Sequence, residues 1–178
     1  MFGIFAILGC SAAVLVMCAR LTDSGTRAPA KPAIGSLHRP AMIIYAVTMF
    51  GLCVLALTGF VGWFAFGRLG GWLLFVHVLG TPVFVIGLTI LAVVWAEKSR
   101  FADSAPGGFS SGQKAAFWAF LLLGFVAIVS MLAAMLPVFG YDWQQTLCAV
   151  HRYNALGLVA VAVVHACLTL PPRPGKTE

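Results

Sequence analysis

Residues 71–96 read GWLLFVHVLGTPVFVIGLTILAVVWA, twenty-six positions without a charge, interrupted only by one histidine, two threonines, a proline and glycines. A helix needs about 20 predominantly apolar residues, at 1.5 Å each, to cross the roughly 30 Å of hydrocarbon in a bilayer. This stretch is long enough to span, and four others resemble it: 2–19, 41–66, 115–139 and 147–170. They are separated by the Pro/Gly/Ser-rich 20–40, a Gly-Arg-Leu-Gly-Gly turn at 67–71, and the segments 97–114 and 140–146. The predicted architecture is an all-α integral membrane protein. A transmembrane helix at 1–19 and a cytoplasmic linker at 20–40 lead into a four-helix bundle at 41–170, and a cytoplasmic tail follows at 171–178.

Composition points the same way. Of 178 residues, 61% are apolar and 9% charged, and the mean hydropathy is +1.00. Soluble domains carry about 25% charged residues, so these charges could not coat a water-facing surface. The net charge of +6 does not indicate nucleic acid, because no Lys/Arg stripe lies beside stacking aromatics. It is distributed by topology instead. Arg20, Arg27, Lys31, Arg39, Lys98, Arg100, Lys114, Arg173 and Lys176 fall on one side of a five-span chain, and Arg68 and Arg152 on the other. The positive-inside rule makes the first side cytoplasmic, with the N-terminus outside and the C-terminus inside a bacterial inner membrane. The N-terminal run has no basic residue ahead of it and continues past Cys10, so it reads as a retained helix rather than a cleaved signal. The five cysteines form no Cys-x-x-Cys pair, which excludes covalent haem attachment through that motif and leaves them as small hydrophobes.

No Asp, Glu or Lys sits in the middle of a span, so a carboxylate-based ion pathway has nothing to work with. Histidine is the exception. His77 is the seventh residue of its apolar run and His151 the fifth of the last, and both runs start at the outer surface. The two imidazoles are thus expected at nearly equal depth on different helices, the arrangement that bis-histidine haem ligation requires. For a lone histidine, a hydrogen bond to a neighbouring helix is the plainer reading; several at matched depth favour a ligand role. Gly59, Gly62, Gly80 and Gly157 would let a porphyrin approach, although membrane helices also use glycine for packing. His165 follows His151 by fourteen residues, about 21 Å along the axis and about 40° short of the same face, which puts it near the inner surface. Its partner is less plain. His38 precedes Arg39-Pro40 at the membrane edge, and the residue level with His165 is near Tyr45. An inner haem held by His38 and His165, one held by His165 with another ligand such as Tyr45, and no inner haem are the three alternatives.

The residues also resemble the cytochrome b (gamma) subunit of membrane-bound formate dehydrogenases, which is related to the cytochrome b of nickel-iron hydrogenases. The resemblance covers about three quarters of the chain. It rests on Ser111-Gly112-Gln113-Lys114-Ala115-Ala116-Phe117-Trp118, on His151-x13-His165, on Leu57-Thr58-Gly59 and on His77. It implies haem b held by His77 and His151 at the outer level, and a second haem b partly held by His165. It also implies an iron–sulfur partner subunit delivering electrons at the outer face, a catalytic dehydrogenase subunit that oxidises the primary substrate, and quinone reduction beside the inner haem. The pattern departs at two places: Tyr45 stands where the family carries a haem histidine, and Ser110 where it carries an asparagine implicated in quinone binding. Ser110, Gln113 and Lys114 are the candidate quinone donors, and they read equally well as a helix start at the interface. Arg152 could pair with a haem propionate or snorkel to the interface. The five tryptophans near span ends read as aromatic-belt anchors. No catalytic residue is expected in this chain. An anchor or assembly subunit, with one haem or none, is the alternative from another class.

Overall fold

The computed structural model describes residues 39–97, 99–101, 109–138 and 140–169. The predicted helix at 2–19, the linker up to His38 and the tail at 171–178 lie outside them. Four helices form: α1, Arg39–Phe66; α2, Gly71–Ala96; α3, Ser111–Met135; and α4, Tyr141–Thr169. Each is long and apolar enough to cross a membrane, and there is no strand among the described residues. The end holding the start of α1 and the end of α4 is the one that the loop charges predict to be cytoplasmic, and is called the inner end below.

α1 and α2 begin within a residue or two of their apolar runs, but α3 and α4 start earlier than the runs suggest, at 111 rather than 115 and at 141 rather than 147. The reason in α3 is a capping box. The Ser110 side chain accepts from the Gln113 N–H at 3.3 Å, and Gln113 Oε1 accepts from the Ser110 N–H at 2.8 Å. This satisfies two N–H groups that a helix start otherwise leaves unpaired. In α4 the added residues 141–146 are mostly polar, with Asp142 in the first turn, where a negative charge meets the positive end of the helix dipole. The tight connection between α1 and α2 needs Gly67 and Gly71, both at positive φ (67° and 56°) that L side chains rarely adopt.

The bundle consists of two antiparallel hairpins, α1/α2 and α3/α4, each far more closely packed within itself than against the other. The hairpins use different physics. α1 and α2 approach through glycine: a Cβ on Gly87 would collide with Thr48 Oγ1, one on Gly80 would press Leu55, and Gly51 lies against Phe84. Small residues allow such approach where lipid offers no hydrophobic drive. α3 and α4 are tied by hydrogen bonds to backbone carbonyls: Gln113 Nε2 to Leu168 O (2.6 Å) and Asn154 Nδ2 to Leu123 O (2.7 Å). Between the hairpins, a middle layer packs Leu52, Phe84, Leu88, Phe120, Leu158 and Ala162. An inner layer holds Ala41, Leu91, Trp95 and Phe117. Trp95 is 1% exposed and is therefore a core residue rather than a belt anchor, because its ring is turned inward onto Tyr45 and Phe117. Large apolar side chains such as Ile86, Val93, Leu122, Phe125 and Leu132 remain exposed on the outward faces. Contiguous apolar surface on that scale is what a lipid-facing helix bundle presents.

Candidate functional site

At the outer level the two hairpins each contribute one half-buried histidine, His77 from α2 and His151 from α4. His77 Nδ1 lies 3.0 Å from Thr58 Oγ1 on α1. The Thr58 hydroxyl proton is already given to the Val54 carbonyl at 2.7 Å, with the Leu55 carbonyl at 3.2 Å. Toward the ring, Thr58 can therefore only accept, and the proton of neutral His77 is on Nδ1. His151 Nδ1 lies 2.9 Å from the carbonyl of Ala127, an acceptor only, which sets the same tautomer. In both rings Nε2 is then the nitrogen that keeps its lone pair. A histidine whose far nitrogen donates to an oxygen, leaving the near one basic and fixed in direction, is prepared as a metal ligand.

The surroundings hold these rings in place. Gly59 supports His77 from α1, since a Cβ there would come within 3.3 Å of His77 Cε1. Ser130 Oγ also donates to the Ala127 carbonyl, at 3.1 Å. The two imidazoles lie within electrostatic reach of one another. Cross-helix contacts place the two rings at one level: Gly59 of α1 lies against His77, and Tyr45, fourteen residues before Gly59, meets His165, fourteen residues after His151. The predicted porphyrin-facing glycines do not line an open space. Gly62 packs on Leu69, Gly80 on Leu55, and Gly157 lies 3.7 Å from Leu123, so they serve helix and turn packing. Arg152 places its guanidinium 5.6 Å from the ring centre of Trp63, a cation–π contact that joins α4 to α1 at the outer end.

At the inner level His165 is buried with Tyr45, Trp95 and Phe117 around it. Tyr45 is the α1 residue that meets His165, as the depth count predicts; His38 lies outside the described residues. The trio Ser110, Gln113 and Lys114 is drawn into structural bonds. The first two form the helix cap, Gln113 Nε2 also reaches Leu168 O, and buried Lys114 donates from Nζ to Arg100 O at 2.6 Å. Next to it Trp118 donates to Ser99 O at 3.0 Å. The helix-start reading accounts for the bonds between Ser110 and Gln113.

Two participants escaped sequence reading: the Ala127 carbonyl, which carries no side-chain signal, and Asn154. The asparagine lies three residues after His151, hence close to the same face of α4, and that spacing was the available clue. Among the described residues no group of three or more His, Cys, Asp or Glu side chains gathers as it would for a protein-only metal centre, and neither Cys53 nor Cys148 is in a disulfide. Comparison with family models, curated proteins and solved structures finds no match to the chain.

Proposed function

We propose that this chain is the membrane cytochrome b subunit of a formate dehydrogenase-like oxidoreductase complex. In this reading it lies in a bacterial inner membrane and passes electrons from an iron–sulfur partner subunit at the outer face toward the quinone pool, while a separate dehydrogenase subunit oxidises the primary substrate. The observation that carries the reading is the pair His77 and His151, one from each hairpin, with both Nδ1 protons committed to oxygen acceptors. When bound between them, haem b supplies a carrier that takes and releases one electron at a time. The residues do the rest. Thr58 and the Ala127 carbonyl fix the tautomers, and Gly59 leaves room for the His77 ring. No carboxylate or lysine sits at the middle of a span to relay protons. The two protons that accompany two electrons onto a quinone would thus come from the aqueous phase next to the quinone.

The test is a pyridine haemochrome assay on the full chain purified with its copurifying subunits. Protohaem should be present and should be lost on replacing either His77 or His151 with Ala. A colourless wild-type preparation with intact partners would refute the reading and leave a lipid-embedded anchor; unchanged haem in either variant would refute the ligand pair.

A further inference from the structure

The family resemblance implies two stacked haems, but the inner level is packed in a way that does not fit the second. His165 is 2% exposed. Its ring centre lies 5.8 Å from that of Tyr45 at 60°, 6.3 Å from Trp95 at 52°, and 6.3 Å from Phe117 at 44°. Tyr45 is in turn stacked flat on Trp95, 5.4 Å apart at 8°. Three helices thus press an aromatic ring against the imidazole. If His165 and Tyr45 held one iron from opposite sides, their ring centres would stand about 7 Å apart, given bonds to the metal of about 2 Å and a bent phenolate. They stand more than 1 Å closer, at 5.8 Å, and they are tilted rather than disposed across a common plane. A ligand other than Tyr45 would have to bring the macrocycle in through Trp95 or Phe117, which are 1% and 2% exposed members of the inner core.

Four polar atoms in this cluster have no hydrogen-bond partner: Tyr45 Oη, Trp95 Nε1, and both nitrogens of His165. Thr169 stands beside the Tyr45 hydroxyl, its own proton going to the carbonyls of His165 and Ala166. Buried polar atoms require partners, and rings packed 5.4 to 6.3 Å apart between centres leave room for a guest of the size of water but not for a porphyrin.

We infer that the chain carries a single haem b, at the outer level, and that Tyr45, Trp95, Phe117 and His165 form a closed aromatic core in place of the inner one. This rests on the proposed function for the outer haem, and the experiment separates the two. Haem per chain is measured in the purified complex by the pyridine haemochrome assay, together with a potentiometric titration of the α-band. The expected result is one haem and a single one-electron wave, both abolished in His77→Ala and both retained in His165→Phe, which keeps a ring in the cluster, and in His38→Ala. Two haems per chain, with one lost in His165→Phe or His38→Ala, would overturn the inference while leaving the outer haem standing. One haem that survives His77→Ala but disappears with His165→Phe would overturn both, as would the absence of haem.

Discussion

Replacing Thr58 with Val tests whether the tautomer of His77 is set by the bundle. The side chains have nearly the same shape, so the α1/α2 packing around position 58, which is 9% exposed, is preserved. What disappears is the oxygen 3.0 Å from His77 Nδ1. The Val54 and Leu55 carbonyls that receive the Thr58 proton keep their helical hydrogen bonds, so the main loss is the acceptor for the imidazole. The Leu55 carbonyl also lies within reach of the His77 ring, so the cost is at the low end of the about 1–3 kcal/mol of an unsatisfied buried donor; loss of an outer partner of a metal-binding histidine lowers affinity about 10- to 100-fold, and the low end applies here. A fall of about 10-fold in haem affinity is expected, read by titrating haem into apoprotein in detergent and following the Soret band. The midpoint potential should rise, because an imidazole that no longer shares its Nδ1 proton is a weaker donor and favours the ferric state less. Thr58→Ser, which restores the oxygen, should recover affinity and potential. If Thr58→Val binds haem as tightly as wild type and at an unchanged potential, the bond at Nδ1 does not prepare His77 as a ligand.

Two further substitutions probe the scaffold. Gly87→Val forces a branched side chain into the Thr48 hydroxyl; Thr48 is fully buried and already donates to Ile44 O at 2.7 Å, so it has little freedom to retreat. Overpacking of this kind costs about 1–3 kcal/mol, and the thermal unfolding midpoint in detergent should fall, whereas Gly140→Ala, with open space around its Cβ, should leave it unchanged. Gln113→Ala removes half of the capping box and the bond to Leu168 O. A cap is worth about 1 kcal/mol, so stability should fall by at least that much with haem content intact. Full stability together with a selective loss of quinone reduction would instead return Gln113 to the role of a quinone donor.

How much of this was legible in the sequence depends on where each signal is stored. The four spans from residue 41 onward were legible because lipid imposes a compositional rule: a run such as 71–96 has no other solvent in which to lie. Helix starts were not, because polar Ser110 and Gln113 lie outside the apolar run, and only their reciprocal bonds show the cap. Trp95 shows the limit of reading a residue type by its position. A tryptophan at a span end fits the interface, yet the adjacent rings of Tyr45 and Phe117 draw it into the core, and those partners belong to other helices. The histidines were visible as residue types, while what disposes them toward a ligand role was not. Thr58 is concealed in an apolar string, and the acceptor for His151 is the peptide carbonyl of Ala127, an alanine on α3 whose letter says nothing of its oxygen. An α-helix gives its carbonyl oxygens to its own amides, but each oxygen has a second lone pair, and Ala127 uses it for the His151 ring while also accepting from Ser130. Substituting Ala127 would leave that acceptor in place, so at His151 the orienting group follows from the register between α3 and α4 and cannot be read from either helix alone.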